Sequence, residues 1–300
     1  MIHHSLIAVV VAILMHCLGS FLPAADLPPE RPLWDKPPER YADVPVVEER
    51  LRALKAHPKA PSLSNRVYNS VSLPTYSIHR PKKPNGVGLV ICPGGGFRDI
   101  WIDSEGHDLA IWLKQHNVTS LVLKYRTRPA QLKGANAWQD YQRAVRTDGL
   151  QAVRILRKNA EELGLKTDRI GICGFSAGGH LAISTALAPE PSPAKTDLSG
   201  QPDFAGLFYP GIPDEAAKWI ESRQNICPMF IVNARVDKLT PAEKCLAFYS
   251  KLLKSGVDAE LHIFSRGGHG FHLGVGRGKS TEMWPDSFAA WLRDVGMINE

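Results

Sequence analysis

From Arg66 onward the sequence predicts an α/β protein with a mostly parallel central sheet of about eight strands and helices on both faces. Three observations carry that reading. Short apolar runs alternate with longer amphipathic stretches, which is the rhythm of βαβ units. The runs are nearly continuous in apolar residues, as strands covered on both faces require. The composition, 44% hydrophobic and 22% charged over 300 residues, allows one sizeable core.

Residues 1–25 read as a secretory signal peptide. Leu6 opens an apolar run of about ten residues ending at Met15, and the small-residue stretch Pro23-Ala24-Ala25 suits signal peptidase. The run is shorter than the roughly 18 residues a membrane span needs. An uncleaved anchor and a buried N-terminal helix are the competing readings, because His3 and His4 stand where Lys or Arg is usual. Cys17 follows Leu14-Met15-His16 rather than small residues, which does not fit a lipidated cysteine. An exported protein, periplasmic or secreted, with no stable membrane association after cleavage, is the expectation.

Residues 26–65 are dense in proline and charge and form an extended arm or linker, either lying on the domain or unanchored. A short helix at 46–56 interrupts it, and Trp34 and Tyr41 are its candidate docking residues. The catalytic domain then runs over 66–300. A strand or hairpin at 66–79 starts the sheet. Buried strands follow at 87–92, 118–124, 169–173, 204–209, 229–232 and 260–264, with helical spacing at 105–115, 148–163, 179–187, 241–254 and 284–294.

The formal charge of +6 comes from scattered Lys and Arg interleaved with acids, so no basic block argues for nucleic acid. Of the five cysteines, Cys92, Cys173, Cys227 and Cys245 lack the spacing of a metal site or a disulfide framework, and no metal or other cofactor is expected. Cys92 and Cys173 end apolar runs, where thiols behave as small hydrophobes.

The chemistry concentrates in three segments. The run 169–173 leads straight into Gly174-Phe175-Ser176-Ala177-Gly178, and a helix begins at Gly179, the strand, tight turn and helix that a nucleophilic serine requires. Glycines there let the turn hold Ser176 in a strained conformation without side chains colliding with strand and helix. A serine hydroxyl needs a base, and the base an orienting acid. In the chain order Ser, Asp, His, the acid is Asp237 in Asn233-Ala-Arg-Val-Asp237-Lys238 and the base His269 in Arg266-Gly-Gly-His269-Gly-Phe271, both just beyond predicted strands. His262 and His272 are the nearest rival bases; a helix cap and an ordinary loop histidine are the plainer readings of Asp237 and His269. Acyl transfer also needs donors for a developing oxyanion. Pro93-Gly94-Gly95-Gly96-Phe97 directly follows a strand, and Gly95, Gly96 and Ala177 are the candidate backbone donors. The Lys and Ser or Thr of a P-loop are missing from that loop. Arg98, Trp101 and Asp103 come next and are candidate substrate contacts.

Together these residues resemble the α/β-hydrolase superfamily, and more narrowly the exported bacterial esterases grouped with acetylxylan esterases and labelled endo-xylanase-like. The resemblance extends from Val87 to the C-terminus through Cys92-Pro-Gly-Gly-Gly-Phe97, Leu123-Lys-Tyr-Arg126, Gly174-Phe-Ser-Ala-Gly-Gly-His-Leu-Ala182, Leu246-Ala-Phe-Tyr249, Gly267-Gly-His-Gly-Phe271 and Trp284-Pro285. It departs at Pro93, where related lipase loops carry histidine, and at Arg235-Val236-Asp237-Lys238, which lacks the usual acidic or small neighbours of the triad acid. It implies an α/β-hydrolase fold and a serine esterase acting on a small ester or an acetylated carbohydrate such as xylan. Glycoside hydrolysis normally needs a flanking carboxylate pair, and no such pair is identified. A general short-chain carboxylesterase, a serine peptidase of prolyl-oligopeptidase type and a noncatalytic sugar-binding protein are the alternatives. Oligomeric state is open.

Overall fold

The computed structural model describes residues 27–36, 48–54, 65–130, 132–190 and 198–298. The predicted signal segment, residues 1–25, and Tyr41 lie outside the described residues.

The strands in chain order are β1 (Arg31–Pro32), β2 (Arg50–Ala53), β3 (Arg66–Asn69), β4 (Thr75–His79), β5 (Gly86–Cys92), β6 (Asp99–Ile100), β7 (Thr119–Lys124), β8 (Leu165–Phe175), β9 (Ala205–Phe208), β10 (Met229–Ala234) and β11 (Ala259–Phe264). Eight of them form one sheet in the order β1-β4-β7-β5-β8-β9-β10-β11. The strands from β7 across to β11 run parallel. At the other edge β4 and β1 join antiparallel. All residues of β5, β7, β9 and β10 are buried, so their continuous apolar runs are covered from both sides.

The helices are α1 (Asp108–Gln115), α2 (Ala137–Lys158), α3 (Ala160–Leu163), α4 (Ala177–Leu187), α5 (Ala216–Ser222), α6 (Ala242–Lys254), α7 (Lys279–Glu282) and α8 (Trp284–Asp294). A single π-helical turn, Asp103–His107, leads into α1. The chain steps from β5 to β7 in one direction across the sheet and from β8 to β11 in the other. Right-handed crossovers therefore put α1 on one face and α4 and α6 on the opposite one. This reversal makes the ends of β5 and β8 a topological switch point, where open α/β sheets form their crevice. Among the described residues no helix is long and apolar enough to cross a membrane.

Three elements differ from the sequence expectation. Where the helix expected at 46–56 is described, Arg50–Ala53 is instead β2, whose exposed residues pair antiparallel with β3; an isolated helix this short is marginal, whereas the edge of β3 supplies hydrogen bonds. The strands at 66–79 are not a hairpin, since β3 belongs to a separate three-stranded sheet with β2 and β6 while β4 enters the main sheet. The helix expected from Asp148 begins at Ala137, and its first turns bury Tyr141, Ala144 and Val145 in register with Asp148.

The proline-rich arm is anchored where it is described. Leu33 is buried, and Glu30 and Glu49 each lie 2.7 Å from Lys124 Nζ. Trp34 Nε1 donates to Asp148 Oδ1 at 2.9 Å. Asp148 is fully buried and holds Arg126 in a fork, Nε to Oδ2 at 2.8 Å and Nη2 to Oδ1 at 2.6 Å. Removing one partner of such a pair strands the other charge in the core, which costs about 3–5 kcal/mol. Asp148→Ala is therefore expected to lower the urea unfolding free energy by that amount. An unchanged midpoint would contradict the account.

Candidate active site

The crevice is built from two tight turns that touch. Ser176 follows β8 and caps α4 with φ 51° and ψ −112°, a strained conformation for a residue bearing a side chain. It is held by Ser176 N–H donating to Phe208 O at 3.0 Å, while Ser176 O accepts from His180 and Gly211 N–H. A Cβ on Gly178 would lie 1.9 Å from Cys92 O, and one on Gly174 would lie 2.2 Å from Gly178 O. These two positions admit only glycine, and their absence of side chains brings the α4 terminus against the end of β5.

Ser176, His269 and Asp237 come together in one line. Ser176 Oγ is 2.9 Å from His269 Nε2, and His269 Nδ1 is 2.8 Å from Asp237 Oδ2. Leu239 and Thr240 N–H donate to Asp237 Oδ1 at 2.8 and 2.9 Å, and Thr240 Oγ1 donates to Oδ2 at 2.8 Å. Burial of Asp237 would raise its pKa, but the hydrogen bonds with His269 and Thr240 outweigh it and hold the carboxyl below its ordinary value. Asp237 thus closes its own turn and still faces His269, while the helix that follows has Pro241 at its N-cap and no side-chain cap. The loop bearing His269 is fixed by Trp284, a fully buried side chain whose Nε1 donates to His272 O at 2.8 Å. Of the rival bases, His262 pairs with Glu260 on β11 at 2.5 Å, and His272 lies beside Glu105.

The glycine loop after β5 is wired through most of its polar groups. Tyr125 Oη donates to Pro93 O at 2.7 Å, Gly94 N–H donates to Glu105 Oε2 at 2.6 Å, and Trp101 N–H donates to Gly94 O at 3.1 Å. Gly95 O accepts from Arg98 and Asp99 N–H. Gly95 is half-buried and Gly96 exposed, and among the described residues neither N–H has a protein acceptor. Ala177 opens α4, where the first N–H groups have no partner within the helix.

The expected substrate contacts divide. The Trp101 ring is half-buried, 6.1 Å from that of His272. The Arg98 side chain is 82% exposed and points at Asp99. Asp103 is a correction: it is buried and turned away to Arg66, whose N–H donates to Oδ2 at 2.6 Å and whose Nη2 donates to Oδ1 at 2.8 Å. Sequence reasoning missed Thr240, Glu105, Tyr209 and the aromatic wall of Phe97, His180 and Trp138. The Phe97 ring lies 5.3 Å from His180 and 5.8 Å from Trp138, both edge-on. Burial lowers the His180 pKa to about 4, with Asp214 opposing, so this ring is neutral near pH 7. Among the described residues no cluster of three or more His, Cys, Asp or Glu could hold a metal ion.

A parallel sheet with this strand order, carrying a strained serine at its switch point, defines the α/β-hydrolase superfamily. Within it, the model of the dienelactone hydrolase family matches residues 124–282, and the chain belongs to that family. An acetylxylan esterase of Xylanibacter ruminicola is 28% identical over 245 residues, which are 72% of this chain and 47% of that protein. An endo-1,4-beta-xylanase B of Butyrivibrio fibrisolvens is 26% identical over 209 residues, 61% of this chain and 32% of that protein. The chain thus spans half or less of these relatives. Among solved structures, an acetyl ester-xyloside bifunctional hydrolase of Caldicellulosiruptor lactoaceticus superposes with a TM-score of 0.67 at 24% identity, covering 93% of this chain and all of that one. Esterase Est2 of Thermogutta terrifontis, with butyrate bound, gives 0.63 at 23% identity, covering 76% and 91%. At these identities the structural likeness speaks for the fold.

Proposed function

We propose that this protein is a serine carboxylic-ester hydrolase that removes acetyl groups from a sugar or a plant polysaccharide such as xylan. The observation that carries the reading is the unbroken line from Ser176 Oγ through His269 to the buried Asp237 carboxylate. The acetylxylan esterase among its relatives supports the acetyl group and the sugar.

In this reading His269 Nε2 takes the proton from Ser176 Oγ as the oxygen attacks the ester carbonyl. The carbonyl oxygen becomes an oxyanion, met by the N–H groups of Gly95, Gly96 and Ala177. The C–O bond to the alcohol breaks as His269 returns the proton to the leaving oxygen, and an acyl-serine remains. Water, deprotonated by the same histidine, then releases the acid and restores Ser176. Asp237 keeps Nδ1 as the protonated nitrogen, which leaves Nε2 free to accept. Trp101 and the wall of Phe97, His180 and Trp138 are the candidate sugar contacts. Residues 1–25 are assigned the role of an export signal.

The test is hydrolysis of 4-nitrophenyl acetate, acetylated xylan, acetylated xylose, a feruloyl ester and longer alkyl esters, run beside labelling with a serine-reactive phosphonate. The expected result is fastest release from the acetyl sugars and a single phosphonate adduct on Ser176. Preference for simple alkyl esters would make the protein a general carboxylesterase. No turnover together with no adduct would remove the enzymatic reading.

A further inference from the structure

We infer that Glu105 is the positioning residue of the oxyanion loop, an inference that rests on the ester-hydrolase reading above. Glu105 is 4% exposed and sits on the π-helical turn Asp103–His107, behind the glycine loop. Oε2 accepts the Gly94 N–H at 2.6 Å, and Oε1 accepts the Tyr209 hydroxyl at 2.6 Å. His272 Nδ1 lies 3.5 Å from Oε1. One buried carboxylate therefore touches the loop after β5, the residue after β9 and the loop that bears His269.

Gly94 is the member of the glycine loop nearest the nucleophile, since a Cβ built on it would lie 3.0 Å from Ser176 Cβ. With its N–H committed to Glu105, the peptide plane before Gly94 is set, and the Gly95 and Gly96 N–H groups are the ones left to face a substrate. The turn that carries Glu105 is itself fixed on both sides. Asp103 is clamped by Arg66, and a Cβ on Gly106 would lie 2.7 Å from Val122 Cγ1 and 3.3 Å from Pro93 Cγ. Single π turns are frequent at functional sites.

The second arm of the carboxylate reaches the histidine side. Tyr209 has φ 38°, and its ring stands edge-on to His269 with centroids 5.2 Å apart. Tyr209 O lies 3.1 Å from Thr240 Oγ1, the hydroxyl that donates to Asp237 Oδ2. A buried carboxylate is costly unless fully compensated, and an apolar side chain would fill this space at lower cost if packing were its whole purpose. Glu105 does not touch the reacting atoms. It acts by fixing where the oxyanion donors stand relative to Ser176 and His269.

Displacement of a reacting group by about 1 Å costs on the order of 100-fold in rate. Glu105→Ala is expected to lower kcat for 4-nitrophenyl acetate about 100-fold with KM within about threefold. Glu105→Gln keeps an acceptor for Gly94 N–H and offers its amide to Tyr209 Oη, so it should recover at least tenfold of that loss. A matched thionoester separates positioning from general damage, because sulfur accepts hydrogen bonds weakly and gains little from the oxyanion donors. Glu105→Ala should slow the ester at least tenfold more than the thionoester; equal slowing of both overturns the proposal. Hydrogen exchange, which needs no turnover, supplies the second readout: the amide of Gly94 should exchange at least tenfold faster in Glu105→Ala, and unchanged exchange overturns the proposal. If the alanine variant does not fold, Tyr209→Phe loosens the same carboxylate from its other side and should reproduce the ester-selective slowing. Failure of the esterase reading shows separately, as activity retained in Ser176→Ala.

Discussion

Ser176→Ala is expected to lower kcat for acetyl-ester hydrolysis by on the order of 10⁵- to 10⁶-fold, with KM changed by less than about tenfold. Oγ is the reacting atom and lies 2.9 Å from His269 Nε2, so its loss removes the covalent route whole. What survives is the glycine loop, whose donors are on the backbone and stay in place, and direct attack by water with His269 as base. Such remnants sustain about 10³- to 10⁴-fold over the uncatalysed reaction. The fold should be indifferent to the change, because alanine removes one half-buried hydroxyl and its strained φ is sustained by backbone contacts to Phe208, His180 and Gly211. Initial rates on 4-nitrophenyl acetate, with a thermal unfolding curve beside them, check both halves. A loss of less than about 100-fold at unchanged stability would move the nucleophile elsewhere. His269→Ala should fall by a similar factor, and the double variant no further, since the two residues act on one proton.

The parts of the fold that were legible are those whose physics is local. The strands β5, β7 and β10 are buried on both faces, so their sequences are apolar runs bounded by turn residues. The elbow was legible because Gly174 and Gly178 are demanded by backbone approaches within a few residues of Ser176. Asp237 and His269 followed from chain order and from their places after β10 and β11. The small sheet was not legible: β2 is wholly exposed and β3 only partly buried, so neither leaves an apolar signature. Glu105 was hidden for another reason. An acidic residue at the start of a helix reads as a dipole partner, and only the fold brings it to Tyr209, 104 residues away. Asp103 shows the same limit in reverse, since its neighbours in sequence face the loop while its own carboxylate is claimed by Arg66.

Asp237→Asn is expected to lower kcat by on the order of 10⁴-fold with little change in KM or in stability. The reason lies in which way an amide must sit. Asp237 Oδ1 accepts two backbone N–H groups, from Leu239 and Thr240, while Oδ2 faces His269 Nδ1. An asparagine there has one acceptor, and the two fixed backbone donors claim it. Its NH₂ is then aimed at Nδ1, which can accept only if the imidazole proton moves to Nε2. In that tautomer Nε2 cannot take the proton from Ser176 Oγ. Thr240 Oγ1, 3.2 Å from Nδ1, offers the alternative acceptor, and its competition for the ring decides how much activity survives. Asp237→Ala, which leaves no amide to enforce the wrong tautomer, should therefore retain more activity than the asparagine variant if Thr240 takes over, and Asp237→Ala with Thr240→Val should lose that difference. Steady-state kinetics on the three variants read this order directly. Near wild-type turnover in Asp237→Asn would mean that another group orients His269.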